Sequence, residues 1–65
     1  MQIFLNGEAR VTEAASIADL VSELGLEGRM IAVERNLEVV PRSIYSQAVL
    51  AEGDRIEIVH MIGGG

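Results

Sequence analysis

The stretch Met1-Gln2-Ile3-Phe4-Leu5-Asn6-Gly7-Glu8-Ala9-Arg10-Val11-Thr12 opens the chain and sets how the remainder is read. Met1 to Leu5 alternates as a strand does, with Ile3 and Leu5 on one side and Gln2 and Phe4 on the other. Asn6-Gly7 is the strongest short hairpin signal, because a type I′ turn needs positive φ at both central residues. Ala9 to Thr12 is then the return strand.

Beyond the hairpin, Ser16 is a good helix N-cap, and Asp19 follows three residues later, as in a capping box with Asp in place of Glu. Ile17, Leu20, Val21 and Leu24 recur at the spacing of one helix face. Gly25 supplies a left-handed C′ position, so the helix spans 17–24. A helix that short does not stand alone in water and must pack on a sheet. Met30 to Glu34 reads as a third strand, Arg35-Asn36 as a turn, and Leu37 to Val40 as a short strand stopped by Pro41. Ser43 to Leu50 reads as an irregular or 3-10 segment anchored by Ile44, Tyr45 and Leu50. Gly53-Asp54 is a turn, and Arg55 to Ile62 is the longest strand.

The helix can bury its face only against the sheet. Right-handed crossovers and short connections then favour a last strand in the sheet centre, parallel to the first. The expected class is α+β in the β-grasp (ubiquitin-like) arrangement: a mixed sheet of four to five strands with one helix across one face. The expected domain covers 1–62, followed by a glycine tail at 63–65.

Composition bounds what such a domain does. Sixty-five residues and 7.0 kDa allow one domain with a thin core, so a self-sufficient enzyme is not expected. A hydrophobic fraction of 49% fits a folded domain. No apolar run exceeds four residues, so no membrane helix is expected, and no export signal is visible. Ten acids face five arginines, for a net charge of -5. Nucleic-acid binding is disfavoured without a basic stripe, and a basic protein partner is favoured. With no lysine, Schiff-base chemistry and side-chain isopeptide attachment are excluded. With no cysteine, so are disulfides, thiolate nucleophiles and cysteine-ligated clusters. One histidine, His60, makes no metal site by itself, and no metal is expected.

In the last strand, Ile56 and Ile58 should face the helix, leaving Arg55, Glu57, Val59 and Met61 outside. Phe4 lies on the same outer face. Phe4, Val59 and Met61 are read as a partner-docking patch, against the alternative of scattered surface hydrophobes. His60 reads as an ordinary edge or surface residue. Asp19, Glu23 and Glu27 read as a solvated helix face, with a basic partner as the alternative.

Gly63, Gly64 and Gly65 carry no side chains to pack, so a flexible end is expected. A frayed terminus is one reading. The other is a slim backbone that enters a narrow channel; three extended residues reach roughly 10 Å and present a carboxylate.

Several segments together resemble a ThiS-type sulfur carrier protein of thiamin biosynthesis. They are Asn6-Gly7-Glu8, Ala32-Val33-Glu34-Arg35-Asn36, Val40-Pro41-Arg42, Gly53-Asp54-Arg55-Ile56-Glu57-Ile58-Val59 and Gly63-Gly64-Gly65. Met1-Gln2-Ile3-Phe4 is also similar to the start of ubiquitin, and Tyr45 stands where tryptophan is frequent. The resemblance implies a cytoplasmic carrier, not a catalyst, with no bound cofactor. A ThiF-type adenylyltransferase would use ATP to adenylate the Gly65 carboxylate. A persulfide donor, such as a cysteine desulfurase, would convert it to a thiocarboxylate, and thiazole synthase would take the sulfur. Gly64 and Gly63 would clear the channel and extend the reach. Rival readings are the small subunit of molybdopterin synthase, a carrier for cysteine or tRNA thiolation, and a non-covalent ubiquitin-like module with an inert tail.

Overall fold

Asn6 and Gly7 adopt φ of 50° and 86° in the computed structural model, which describes residues 1–61. These are the paired left-handed conformations of a type I′ turn. They join β1 (Gln2–Leu5) to β2 (Glu8–Val11) with Leu5 opposite Glu8. The return strand therefore starts one residue earlier than its apolar pattern suggests. Then follow α1 (Ile17–Glu23), β3 (Ile31–Arg35), β4 (Glu38–Val40), a 3-10 turn at Arg42–Ile44 and β5 (Arg55–His60).

The strands form one five-stranded sheet in the order β2-β1-β5-β3-β4. β5 runs parallel to β1 and antiparallel to β3. This is the expected mixed sheet with its last strand at the centre. Ile3, Val33, Ile56 and Ile58 come from the sheet and Ile17, Leu20 and Val21 from α1; all are buried in a single core. Fully burying one such side chain contributes roughly 1.5–3 kcal/mol. The helix face and the sheet thus supply each other's main apolar cover.

Both helix ends are chemically closed. Ser16 Oγ accepts from Asp19 N at 3.1 Å, and the Asp19 carboxylate accepts from Ala15 N, one residue before the position a capping box uses. The next free donors, Ile17 N and Ala18 N, are taken by the carbonyls of Ala48 and Tyr45. The irregular segment is therefore held by the helix N-terminus it caps. At the other end Gly25 has φ 72°, Gly25 N donates to Ser22 O, and Leu26 N donates to Val21 O, a Schellman closure.

Three expectations are corrected. β5 ends at His60 within the described residues; the Ile62 end of that expectation, the proposed boundary and Gly63–Gly65 lie outside them. Ile44 is 40% exposed, so Tyr45, Ala48 and Leu50 anchor the irregular segment instead. Asp19, Glu23 and Glu27 are exposed, as the solvated reading expects; Asp19 also caps the helix, and Glu23 also accepts from Thr12 Oγ1 at 2.7 Å and from Arg10. The β3–β4 turn is Asn36-Leu37, because Arg35 pairs with Glu38. Leu37 takes φ 72° there.

A leucine in the left-handed region costs about 1–2 kcal/mol, whereas glycine gives up about 0.5–1 kcal/mol through unfolded-state entropy. Leu37 is 90% exposed and loses no packing when removed. Leu37→Gly is therefore expected to raise unfolding stability by about 0.5–1 kcal/mol in urea titrations, without a change in slope.

The Thr12 hydroxyl, and after it the Arg10 guanidinium, hold the Glu23 carboxyl below the usual carboxylate range. A depressed folded-state value means stability that is present above the unfolded carboxylate value and is lost as pH falls through the folded one. In an NMR titration Glu23 should protonate at lower pH than an unpaired glutamate. Thr12→Val and Arg10→Gln should each move its midpoint upward.

Candidate functional site

β5 is fixed along both edges before it reaches the chain's last residues. Its start is set by Asp54, buried at the end of the Gly53 turn, where Gly53 has φ 83°. The Asp54 carboxylate accepts from Ala51 N at 2.9 Å and Asn36 Nδ2 at 3.1 Å, and pairs with Arg35 Nε at 3.3 Å. Asn36 also accepts from Arg55 N through its Oδ1 and donates its own N–H to Arg55 O. On the opposite edge Asn6 N donates to Ile56 O. The Asn6 side chain then accepts from Ile58 N at 2.8 Å and donates to Ile58 O at 3.3 Å. Each hairpin thus contributes one asparagine that prolongs the ladder onto β5 where backbone pairing stops.

The strand carries two faces. Ile56 and Ile58 are buried toward α1, as their spacing implies. Arg55, Glu57 and Val59 are exposed on the far side. Met61, immediately after the strand, donates its N–H to Met30 O.

Phe4, Val59 and Met61 are all exposed, at 37%, 56% and 49%, but the register separates them. Phe4 sits opposite Arg55. It therefore stops four residues short of Val59, roughly 13 Å along the strand direction. Glu57, across from Glu34, lies between. Val59 pairs instead with Ala32. Met61 lines a shallow concavity with Met30, Ala32, Val39 and Pro41, and with Arg42 and Tyr45. The outer face is thus apolar toward the end of β5 and charged toward its start, with Phe4 beyond the charges.

Met30, Ala32 and Val39 were missed as surface residues by reading strands one at a time. The signal was present: in Met30-Ile31-Ala32-Val33, inward Ile31 and Val33 leave Met30 and Ala32 outside. Placing them beside Val59 needed the β3–β5 register, which no local pattern prints.

His60 is exposed, and its strand is central, not an edge. It borders a hollow lined by Leu5, Asn6, Leu24, Leu26 and Ile58, with no acid among them. Among the described residues no three histidine, aspartate or glutamate side chains gather to hold a metal ion. No described helix is long and apolar enough to cross a membrane.

The comparisons with known proteins agree with one another. The family model of the ThiS family matches residues 3–65. The sulfur carrier protein ThiS of Bacillus subtilis is 40% identical over 53 residues, covering 82% of this chain and 80% of that protein. A thiazole synthase of Paramagnetospirillum magneticum is 48% identical over 66 residues, which cover all of this chain but 20% of that protein. This chain therefore spans about a fifth of the length of that relative. The crystal structure of the thiamine biosynthesis protein ThiS from Geobacter metallireducens superimposes with a TM-score of 0.85 at 28% identity, covering 100% of both chains. With a family match running from β1 through the terminal glycines, and a fold that superimposes end to end, the chain belongs to the ThiS family.

Proposed function

We propose that this chain is a cytoplasmic sulfur carrier of thiamin biosynthesis whose reactive group is the carboxylate of Gly65. The observation that carries the reading is the extent of the family match, which includes Gly63, Gly64 and Gly65. The composition supports it: with no cysteine in the chain, no side chain can carry sulfane sulfur. The relatives named as sulfur carrier and as thiazole synthase support the pathway.

The chemistry needs little from the carrier's own side chains. A carboxylate is a poor electrophile. A ThiF-type adenylyltransferase would join it to AMP from ATP, with pyrophosphate leaving. The outer sulfur of a persulfide donor would then attack the acyl carbon and expel AMP. Cleavage of the resulting sulfur–sulfur bond by a thiol leaves the thiocarboxylate and a disulfide. Thiazole synthase would receive that sulfur. The carrier itself would be a co-substrate, with ATP bound by its partner. Glycine at 64 and 63 removes every Cβ from the segment that must enter a partner's channel. The apolar end of the outer face, Val59 and Met61 with Met30, Ala32 and Val39, is the surface we assign to docking; Phe4 would touch a partner separately, if the contact extends past Glu57.

The test is direct. The protein is incubated with the adenylating enzyme, ATP and a persulfide source, then alkylated and weighed intact. Exchange of oxygen for sulfur adds about 16 Da, nearly the same as methionine sulfoxide, and there are three methionines. A thiol-directed alkylating reagent separates the two, because no cysteine competes. An ATP-dependent alkylated species, with the label on the terminal peptide, is expected. Its absence under conditions where the enzyme turns over another carrier would remove the proposal.

A further inference from the structure

Met30 and Met61 stand side by side where β5 ends. The β3–β5 register pairs Ala32 with Val59 and Ile31 with His60, and one step further it brings Met30 opposite Met61, where Met61 N donates to Met30 O. Directly opposed residues on antiparallel strands hold their Cβ atoms roughly 5 Å apart. Both side chains line the same outer concavity, and they are 59% and 49% exposed. The two thioethers are thus open to a small reagent and lie within the surface assigned to docking. Neither belongs to the buried core. The third methionine is at the far end of the sheet: Gln2 N donates to the Glu52 carboxylate, so Met1 stands before β5 begins, and it is 43% exposed. With no cysteine in the chain, these three thioethers are its only sulfur atoms.

We propose that Met30 and Met61 form a paired oxidation site for a hydroperoxide, and that their sulfoxides release the carrier from its adenylating enzyme. The proposal rests on the carrier reading for that partner. At each residue the thioether sulfur attacks a peroxide oxygen. The O–O bond breaks, an S–O bond forms, the sulfur gives up two electrons, and the rest of the peroxide leaves as an alcohol or water. Two thiols reverse the step, yielding the thioether, a disulfide and water, so a thiol-dependent reductase resets the site. Oxidation replaces a flexible apolar group with a polar one. A partner surface that buries the thioether must then strip water from an oxygen for which it offers no donor. Two such oxygens on one concavity double that cost. Methionine suits this place in the reduced state, because its unbranched thioether adapts to differently shaped surfaces and the proposed carrier must fit more than one enzyme. Since both side chains lie outside the core, oxidation alters the face and leaves the fold.

The experiment treats the whole protein with hydrogen peroxide and locates the added oxygens by peptide mass. Binding to the purified adenylating enzyme is measured before treatment, after it, and after reduction by the two methionine sulfoxide reductases, one for each epimer. Oxygen on Met30 and Met61 should weaken binding by about tenfold, and reduction should restore it to within about twofold. KM for the carrier should rise with kcat unchanged, and the unfolding midpoint should not move. Met30→Leu/Met61→Leu keeps the apolar volume and should lose nothing to peroxide, although Met1 still takes up an oxygen. Met30→Gln/Met61→Gln should bind as weakly as the oxidised protein without any treatment. Equal binding of oxidised and untreated wild type overturns the oxidation site and leaves the carrier reading intact. So does a peroxide-dependent loss that the leucine variant shares, or a loss that comes with a lower unfolding midpoint. Untreated wild type that the enzyme neither binds nor adenylates overturns the carrier reading and the oxidation site with it.

Discussion

The backbone of β5 must find partners on both edges over its whole length, and the two flanking strands alone do not provide them. β1 pairs with it only at Phe4 and Leu5 before the chain turns away. The Asn6 side chain takes over at Ile58, matching an amide donor and a carbonyl acceptor to the backbone groups that would otherwise face no strand. Asn36 does the corresponding work at Arg55 on the other edge. A backbone group withdrawn from water without a partner is costly, so the part-buried Asn6 bonds support the central strand where β1 turns away, and Asn36 holds its exposed start. The core then follows, because Ile56 and Ile58 are presented to α1 only if β5 is held in register.

How much of this was legible depends on how far apart the cooperating residues lie in sequence. The Asn6-Gly7 turn could be read because its requirement is local: two left-handed residues in a row. The helix could be read for the same reason, from Ser16 at one end and Gly25 at the other. The second roles of Asn6 and Asn36 could not, since their partners are 52 and 18–19 residues away. Asp54 looked like half of a turn and is a buried acceptor for three groups. Ile44 looked like an anchor because it is apolar; a 3-10 turn leaves it facing water while Tyr45 and Ala48 pack. Leu37 looked like the start of a strand, and only the register of β3 with β4 placed it in the turn.

The surface reading failed and succeeded for one reason. Alternation assigned Phe4, Val59 and Met61 to the same face correctly, but alternation says nothing about how two strands slide against each other. The parallel register put Phe4 beside Arg55 and left the acids Glu34 and Glu57 in the middle of the face. The result is a sheet surface with a division of labour. Its apolar end leads into the residues that are proposed to react, and its other end carries Glu34, Glu57 and Arg55.

In the proposed carrier role the reactive atom is the acyl carbon of Gly65, and the side chains would contribute placement only. The most direct measurement appends a single alanine after Gly65 and follows ATP-dependent thiocarboxylate labelling beside the thermal unfolding of both proteins. The account predicts the same unfolding midpoint and no labelling of the extended chain. Labelling of the extended chain at the wild-type rate would contradict it, because the sulfur would then be carried by some group other than that acyl carbon.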